Sequence, residues 1–378
     1  MSVAVVGIGR TSFTRASGRT TQAMAVEACR AAISDAGLTV ADVDGWASFQ
    51  YNDSTMSGEV AWAAGRDEVE WAPTLFGGGD MAAQVVQDAV AAIESGRCRA
   101  VVAFRSLNGR SGYRFGTVAK QLEVTGKHQF DAPSAFLVPP QFVASWARRY
   151  QHTYGSTELD LAAVAVTQRT HAQANPHAAM REPLTVDDYL ASRWVCDPFR
   201  VNDCAFEVDG AVAVVLAGAE LARGCRHTPI WYRGGSGSWS GSGWTTWDDM
   251  TSMYSRSAGP RLWQRTGFTP ADVDVACMYD CFTYTVLATL EDYEFCERGQ
   301  AGAFLSEGRG THGGDVVVNP HGGLLSEGYI HGMNHHYEAV LQLRREAGER
   351  QVQDASVALV SAGAGPFGGA LIYSREAA

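Results

Sequence analysis

None of the eight cysteines (Cys29, Cys98, Cys196, Cys204, Cys225, Cys277, Cys281, Cys296) forms a CxxC pair, so zinc-ribbon spacing is absent. Reduced thiols in a cytoplasmic protein are the default reading. No apolar run reaches the length of a membrane span, and Val3-Ala4-Val5-Val6 follows the start with no basic segment or long apolar core of a signal peptide. Basic clusters are missing too. The 30 Lys and Arg against 41 Asp and Glu give a formal net charge of −11, which argues against nucleic acid or an anionic membrane as partner. What the chain has in quantity is apolar: 46% hydrophobic residues over 378 positions fill a sizeable core in one large or two fused domains.

The chain also repeats itself. Gly37-Leu38-Thr39-Val40-Ala41-Asp42-Val43-Asp44 returns as Gly267-Phe268-Thr269-Pro270-Ala271-Asp272-Val273-Asp274, identical at six of eight positions. Each copy follows a helical pattern (Ala23 to Ala36; Arg261 to Thr266) and precedes a strand-like run (Gly45 to Phe49; Val275 to Tyr279). A glycine closing a helix and an Asp-rich turn entering a strand is the chemistry of a helix-to-strand connection. Downstream, Gly77-Gly78-Gly79 opens a helix over Met81 to Ile93 before a strand at Ala100 to Phe104. Gly322-Gly323 likewise opens a helix over Leu324 to Leu343 before a strand at Ser356 to Val360. Two duplicated strand–helix units, residues 1–222 and 223–378, are therefore expected to form a parallel-rich sheet covered on both faces, an α/β architecture.

Between the repeats lies a mostly helical insertion, about 107–198, placed to cover an active-site mouth. Gln141 to Tyr154 and Leu159 to Ala174 have helical periodicity, and Thr185 caps a further helix. A second irregular stretch, Gly234 to Ser257, is rich in Gly and Ser and carries Trp239, Trp244 and Trp247. It is too apolar for a free linker, so it is expected to pack against something or to serve an interface.

This organisation resembles the thiolase superfamily. Val3 to Thr11 is similar to its first strand and turn, Asp209 to Leu216 to the close of its first half, and Asn319-Pro320-His321-Gly322-Gly323 through Gly328-Tyr329-Ile330-His331-Gly332 to its NxxGG and GHPxG region. Ser361 to Gly369 matches its glycine-rich end. The resemblance implies two αβ halves in five layers (αβαβα) with a helical loop insertion. It departs from thiolases at the nucleophile. There a cysteine thiolate sits at a helix start, stabilised by free N–H groups and the helix dipole; here Leu75-Phe76-Gly77-Gly78-Gly79-Asp80 holds no thiol. The family's second cysteine aligns with Ser361, its GHP histidine with Tyr329, and the Asn or His of its NEAF-like motif with Tyr279.

Tyr279-Asp280-Cys281-Phe282-Thr283 together with Gly328-Tyr329-Ile330-His331-Gly332 is similar to one branch of the superfamily, the steroid side-chain-cleaving aldolases or lipid-transfer proteins. That resemblance implies retro-aldol cleavage of a β-hydroxyacyl-CoA on a steroid ring system, releasing a short acyl-CoA such as propionyl-CoA. It also implies a homodimer joined to an OB-fold, zinc-ribbon partner in a heterotetramer, with zinc on the partner only and no cofactor on this chain. Such cleavage needs a base for the carbinol proton, donors for an enolate oxygen and an acid for the α-carbon. Phenols can serve when their neighbours tune them. Tyr279 as base and Tyr329 as oxyanion donor are the expected catalytic pair, in roles that can be exchanged. His331, His321, Ser361 and Gly363 are the expected supporting residues.

Gly363 and its neighbouring glycines would let backbone approach the thioester. His335-His336 are expected on a helix surface, without carboxylate companions for a metal. Asp280 is expected to cap the helix that follows it, and Cys277, Tyr279 and Cys281 to share one strand face. An atypical thiolase or acyltransferase using Cys281, and a non-catalytic acyl-CoA or lipid carrier, are the alternative readings.

Overall fold

The computed structural model describes residues 2–112, 114, 128–240 and 243–377. In chain order the strands are β1 (Val3–Arg10), β2 (Gly45–Gln50), β3 (Thr74–Phe76), β4 (Ala100–Asn108), β5 (Trp194–Cys196), β6 (Phe199–Arg200), β7 (Asp209–Gly218), β8 (Ile230–Trp239), β9 (Val275–Cys277), β10 (Val317–Val318), β11 (Val357–Ala364) and β12 (Phe367–Ser374). Ten of them form one sheet in the order β10-β9-β11-β12-β8-β1-β7-β4-β2-β3.

The two ends of that sheet have the same plan. In one, β2 pairs in parallel with β3 and β4, and β7 runs antiparallel between β4 and β1. In the other, β9 pairs in parallel with β10 and β11, and β12 runs antiparallel between β11 and β8. Within the sheet, the described strands of the two blocks pair at Ala4↔Trp231 and Val5↔Ile230. Each is half antiparallel, more than the sequence suggested, because β7 and β12 each run against both of their neighbours.

Side chains alternate between layers along each strand. On β4, Val101 and Ala103 enter a central core while Val102 and Phe104 enter an outer one; on β11, Ala358 and Val360 face the centre while Leu359 faces the other outer core. The helices Ala82–Glu94 and Met333–Arg344 fill the centre between the blocks. Thr21–Asp35 covers the far face of the first block. Ser255–Thr266 and Thr283–Asp292, with insertion helices, cover that of the second. Five layers result.

The repeated octapeptide does the same work twice. Gly37 (φ +77°) and Gly267 (φ +73°) end their helices in the left-handed region. Thr39 and Thr269 then donate to Asp42 and Asp272 at 2.6 and 2.7 Å. Asp44 accepts from the Ala100 N–H and Asp274 from the Val357 N–H, both at 3.0 Å, which locks each strand to its parallel neighbour.

The described part of the insertion is helical as expected, with Pro139–Tyr154, Glu158–Gln173 and Val186–Ala191, the last capped by Thr185. Residues 113 and 115–127 of it, and 241–242 of the tryptophan segment, lie outside the described residues. Trp244 and Trp247 pack inward on Trp146 with ring centroids 5.4 and 4.3 Å away; only Trp239 of the three is exposed. The expected long helix over Leu324 to Leu343 is broken into Gly323–Ser326 and Met333–Arg344. Gly328 (φ +148°), His331 (φ +50°) and Gly332 (φ +83°) force a loop there, and that loop carries Tyr329.

Candidate active site

Tyr279 leaves the end of β9 on a clamped backbone. Asn319 accepts from the Met278 N–H at 2.7 Å and donates to the Met278 carbonyl at 2.9 Å, while Ser361 Oγ accepts from the Tyr279 N–H at 3.1 Å. Ser361 thus holds the backbone from which the phenol projects. Tyr329 is fixed by its own N–H, which donates to the Phe206 carbonyl at 2.9 Å. The two hydroxyls meet at 2.8 Å. Tyr279 is buried beneath and Tyr329 is partly exposed above it.

The pair sits over the start of the helix Ala82–Glu94. A Cβ placed on Gly79 would lie 1.8 Å from the Tyr279 hydroxyl, so the phenol fills the space that a side chain at this position would need. Asp80 accepts from the Gly78 N–H at 3.0 Å, and burial pushes its carboxyl pKa up. Gly363 (φ +104°) lets the β11–β12 hairpin approach this helix start. A Cβ there would meet the Phe367 carbonyl at 2.5 Å and the Asp80 Cα at 3.3 Å.

Beside Tyr329 stands a buried charge that sequence reasoning missed. Arg105, in the middle of β4, pairs with Asp53 at 2.6 Å, and neither side chain is more than 1% exposed. Its Nε donates to His331 Nδ1 at 3.2 Å. The His331 ring lies edge-on to Tyr329, with centroids 4.8 Å apart. Burial and then the Arg105 charge hold the His331 pKa at about 3, so this imidazole is neutral at physiological pH. The signal was present: Arg105 is a lone charge in Ala100-Val101-Val102-Ala103-Phe104-Arg105, a run that otherwise reads as fully buried.

His321 lies elsewhere, behind the loop. Its Nε2 faces His335 Nδ1 at 3.1 Å, and His335 Nε2 lies 3.3 Å from Asp280. These two histidines and Cys277 bring one ligand-type atom each within 4.8 Å, with the facing imidazole nitrogens hydrogen-bonded to one another. His335 and His336 are wholly buried rather than on a helix surface, because Met333–Arg344 is a central-layer helix. Carboxylates do accompany the histidines. Asp280 caps a different helix from the one expected, accepting from the N–H groups of Leu324 and Leu325 at 2.9 and 3.1 Å. β9 ends at Cys277, so Cys277, Tyr279 and Cys281 do not share a strand face. Burial pushes the Cys281 thiol up to about 12, which makes it a poor nucleophile at neutral pH.

The paired blocks, the five layers and the helix start facing two phenols define a thiolase-like fold without a thiol at that start. Residues 235–373 match the family described as thiolase C-terminal domain-like. The chain is 40% identical over 377 residues to the 17-hydroxy-3-oxo-4-pregnene-20-carboxyl-CoA lyase of Mycobacterium tuberculosis, with 96% of each chain covered. It is 38% identical to the steroid side-chain-cleaving aldolase of Thermomonospora curvata, covering 99% of this chain and 98% of that one. A solved Ltp2-ChsH2(DUF35) aldolase superposes with a TM-score of 0.93 at 36% identity, over 99% of this chain and 97% of that one. The chain belongs to the steroid side-chain-cleaving aldolase branch of the thiolase superfamily. No helix among the described residues is long and apolar enough to cross a membrane.

Proposed function

We propose that this chain is a carbon–carbon lyase that cleaves a β-hydroxyacyl-CoA steroid side chain by a retro-aldol reaction. The products are a ring ketone and a short acyl-CoA such as propionyl-CoA. The observation that carries this reading is the pair of hydroxyls 2.8 Å apart over a helix start at which Gly79 has no room for a side chain. The chemistry balances without an acyl-enzyme. One phenolate takes the carbinol proton, the C–O bond becomes a carbonyl as the C–C bond breaks, and the electron pair moves into the thioester enolate. A phenol donates to the enolate oxygen, and protonation of the α-carbon returns the borrowed proton. The side chains named here supply every group the reaction requires, and no cofactor on this chain takes part.

The assembly is proposed to be a homodimer bound to a DUF35-type partner, an OB-fold protein with a zinc ribbon. β3 is a sheet edge, and Phe76 on it is 64% exposed and stacks on the exposed Tyr51. An open edge with exposed aromatics suits pairing with a second copy. The decisive experiment co-expresses the chain with its partner and assays a steroid β-hydroxyacyl-CoA. Release of propionyl-CoA without added free CoA is the expected result. Free-CoA-dependent thiolysis would instead favour an acyltransferase, and tight binding without turnover would favour a carrier.

A further inference from the structure

The buried Arg105–Asp53 pair is expensive to place in an apolar strand, and its hydrogen bonds lead to the site. Arg105 Nη2 donates to Asp53 at 2.6 Å and Nη1 to the Ser106 carbonyl at 3.3 Å, while Nε points at His331 Nδ1. The backbone fixes the rest of the arrangement. Asp53 accepts from the Tyr51 N–H at 2.8 Å. Phe49 lies under the guanidinium at 5.2 Å and stacks with the His331 ring at 6.3 Å. His331 itself is held at φ +50°, a backbone conformation uncommon for a residue with a side chain and often found at functional sites.

We propose that Arg105 and Asp53 are positioning residues that act through His331 on Tyr329, making Tyr329 the phenol that releases its proton and Tyr279 the one that keeps it. A guanidinium can only donate, so His331 Nδ1 must accept and the ring proton must sit on Nε2. The imidazole is thereby fixed in one tautomer against Tyr329, and the positive charge lies on the Tyr329 side of the hydroxyl pair. Tyr279, donating across the 2.8 Å contact, then stabilises a phenolate on Tyr329. Burial raises both phenols. The Tyr279 hydrogen bond and Arg105 oppose that rise at Tyr329, whereas at Tyr279 the contact with Tyr329 adds to it. Among the described residues, Cys281 and Asp80 also lie near Tyr329 and disfavour a phenolate, and Glu207 bridges its backbone and pairs with Arg114. This exchanges the roles first assigned to the two tyrosines. It also places the base at the partly exposed phenol.

The proposal rests on the retro-aldol reading, and its test separates the two. 3,5-Difluorotyrosine, whose lowered intrinsic pKa brings the titration into range, is installed at 329 and separately at 279 in the full chain with its partner. Ionisation is followed by fluorine NMR. The label at 329 should titrate at lower pH than the label at 279. Asp53→Asn, which leaves the Arg105 charge uncompensated, should lower the 329 value by about one unit, and Arg105→Gln should raise it by about one unit. The low-pH limb of the kcat profile should move in the same two directions with little change in KM. First ionisation at 279, or shifts that are absent or alike in the two variants, would overturn the proposal. If Arg105→Gln does not fold, the order of ionisation in the unsubstituted chain and the Asp53→Asn shift still decide. A chain that titrates as expected but cleaves no steroid thioester would refute the reaction and leave the positioning intact.

Discussion

Two buried clusters flank the loop that carries Tyr329, each built from an arginine, a carboxylate and histidine. In one, Arg105 binds Asp53 and His331, and the imidazole touches the phenol. In the other, Arg10 binds Glu327 at 2.7 Å, with Phe13 stacked on the guanidinium at 4.1 Å. Glu327 also accepts from Asn175 at 3.1 Å and Asn334 at 2.8 Å, and these amides donate onward to the His321 and Gly328 carbonyls. The second cluster therefore ends on backbone and the first on the Tyr329 side chain, the proposed base. On the proposal above, the same chemistry braces in one place and tunes in the other. What separates the roles is the last group in each chain of contacts.

The largest expected effect is on the brace. Burial pushes the Glu327 carboxyl up, but the Arg10 charge, helped by hydrogen bonds from Asn334 and Arg10, outweighs it and holds its pKa at about 2. Glu327→Gln leaves Arg10 buried without a counter-charge and should cost about 3–5 kcal/mol of stability, read by denaturant unfolding. The protein that still folds should keep its pH–rate profile. A moved profile would erase the distinction between the clusters.

Next come the phenols. Tyr279→Phe and Tyr329→Phe each remove one hydroxyl, so folding should survive while turnover falls by about 10²–10³. Acyl-CoA affinity, measured by calorimetry, should hardly change. Wild-type turnover in either variant would remove that phenol from the mechanism.

Acid should then loosen both clusters together. Burial, the largest cause at each, holds His321, His331 and His336 at about 3 and His171 at about 4. In the unfolded chain these rings take up protons near pH ~6.5. Between there and about pH 3–4 the unfolded state binds protons that the folded state refuses, so stability falls as pH drops. Each ring contributes up to about 1.4 kcal/mol per pH unit. A melting temperature flat from pH 7 to 5 would contradict the buried neutral histidines.

The smallest effect belongs to Cys281. Cys281→Ala should retain near-wild-type turnover, and iodoacetamide should inhibit only by blocking the cleft. A folded but inactive Cys281→Ala chain would restore the acyl-enzyme alternative.

Elements with a local signature were readable in the sequence. Helix ends at Gly37 and Gly267, the Thr185 cap and the alternating strands follow from nearest-neighbour chemistry, and the octapeptide repeat led to the duplicated sheet plan. Tyr279 and Tyr329, whose hydroxyls the fold brings together, were singled out through motif position, which carries long-range information that composition lacks. His335 and His336 were misplaced because polarity suggested a surface, whereas the helix lies between the two blocks of the sheet and their partners are far away in sequence. Asp280 was assigned to its neighbouring helix for the same reason, since its true partners are 44 and 45 residues away. Arg105 needed the fold as well. A lone charge in an apolar strand announces a buried partner without saying which one.

The crowding at Gly79 also constrains the history this chain can have. A side chain placed at Gly79, a thiol included, collides with the Tyr279 hydroxyl unless the tyrosine is lost too. Losing the tyrosine first removes a phenol from the proposed reaction; adding the side chain first displaces it. Either order passes through a chain equipped for neither chemistry, so the two positions can revert only as a pair. On the proposed reaction, the glycine and the tyrosine together would work as a ratchet against a thiol at position 79, by steric exclusion.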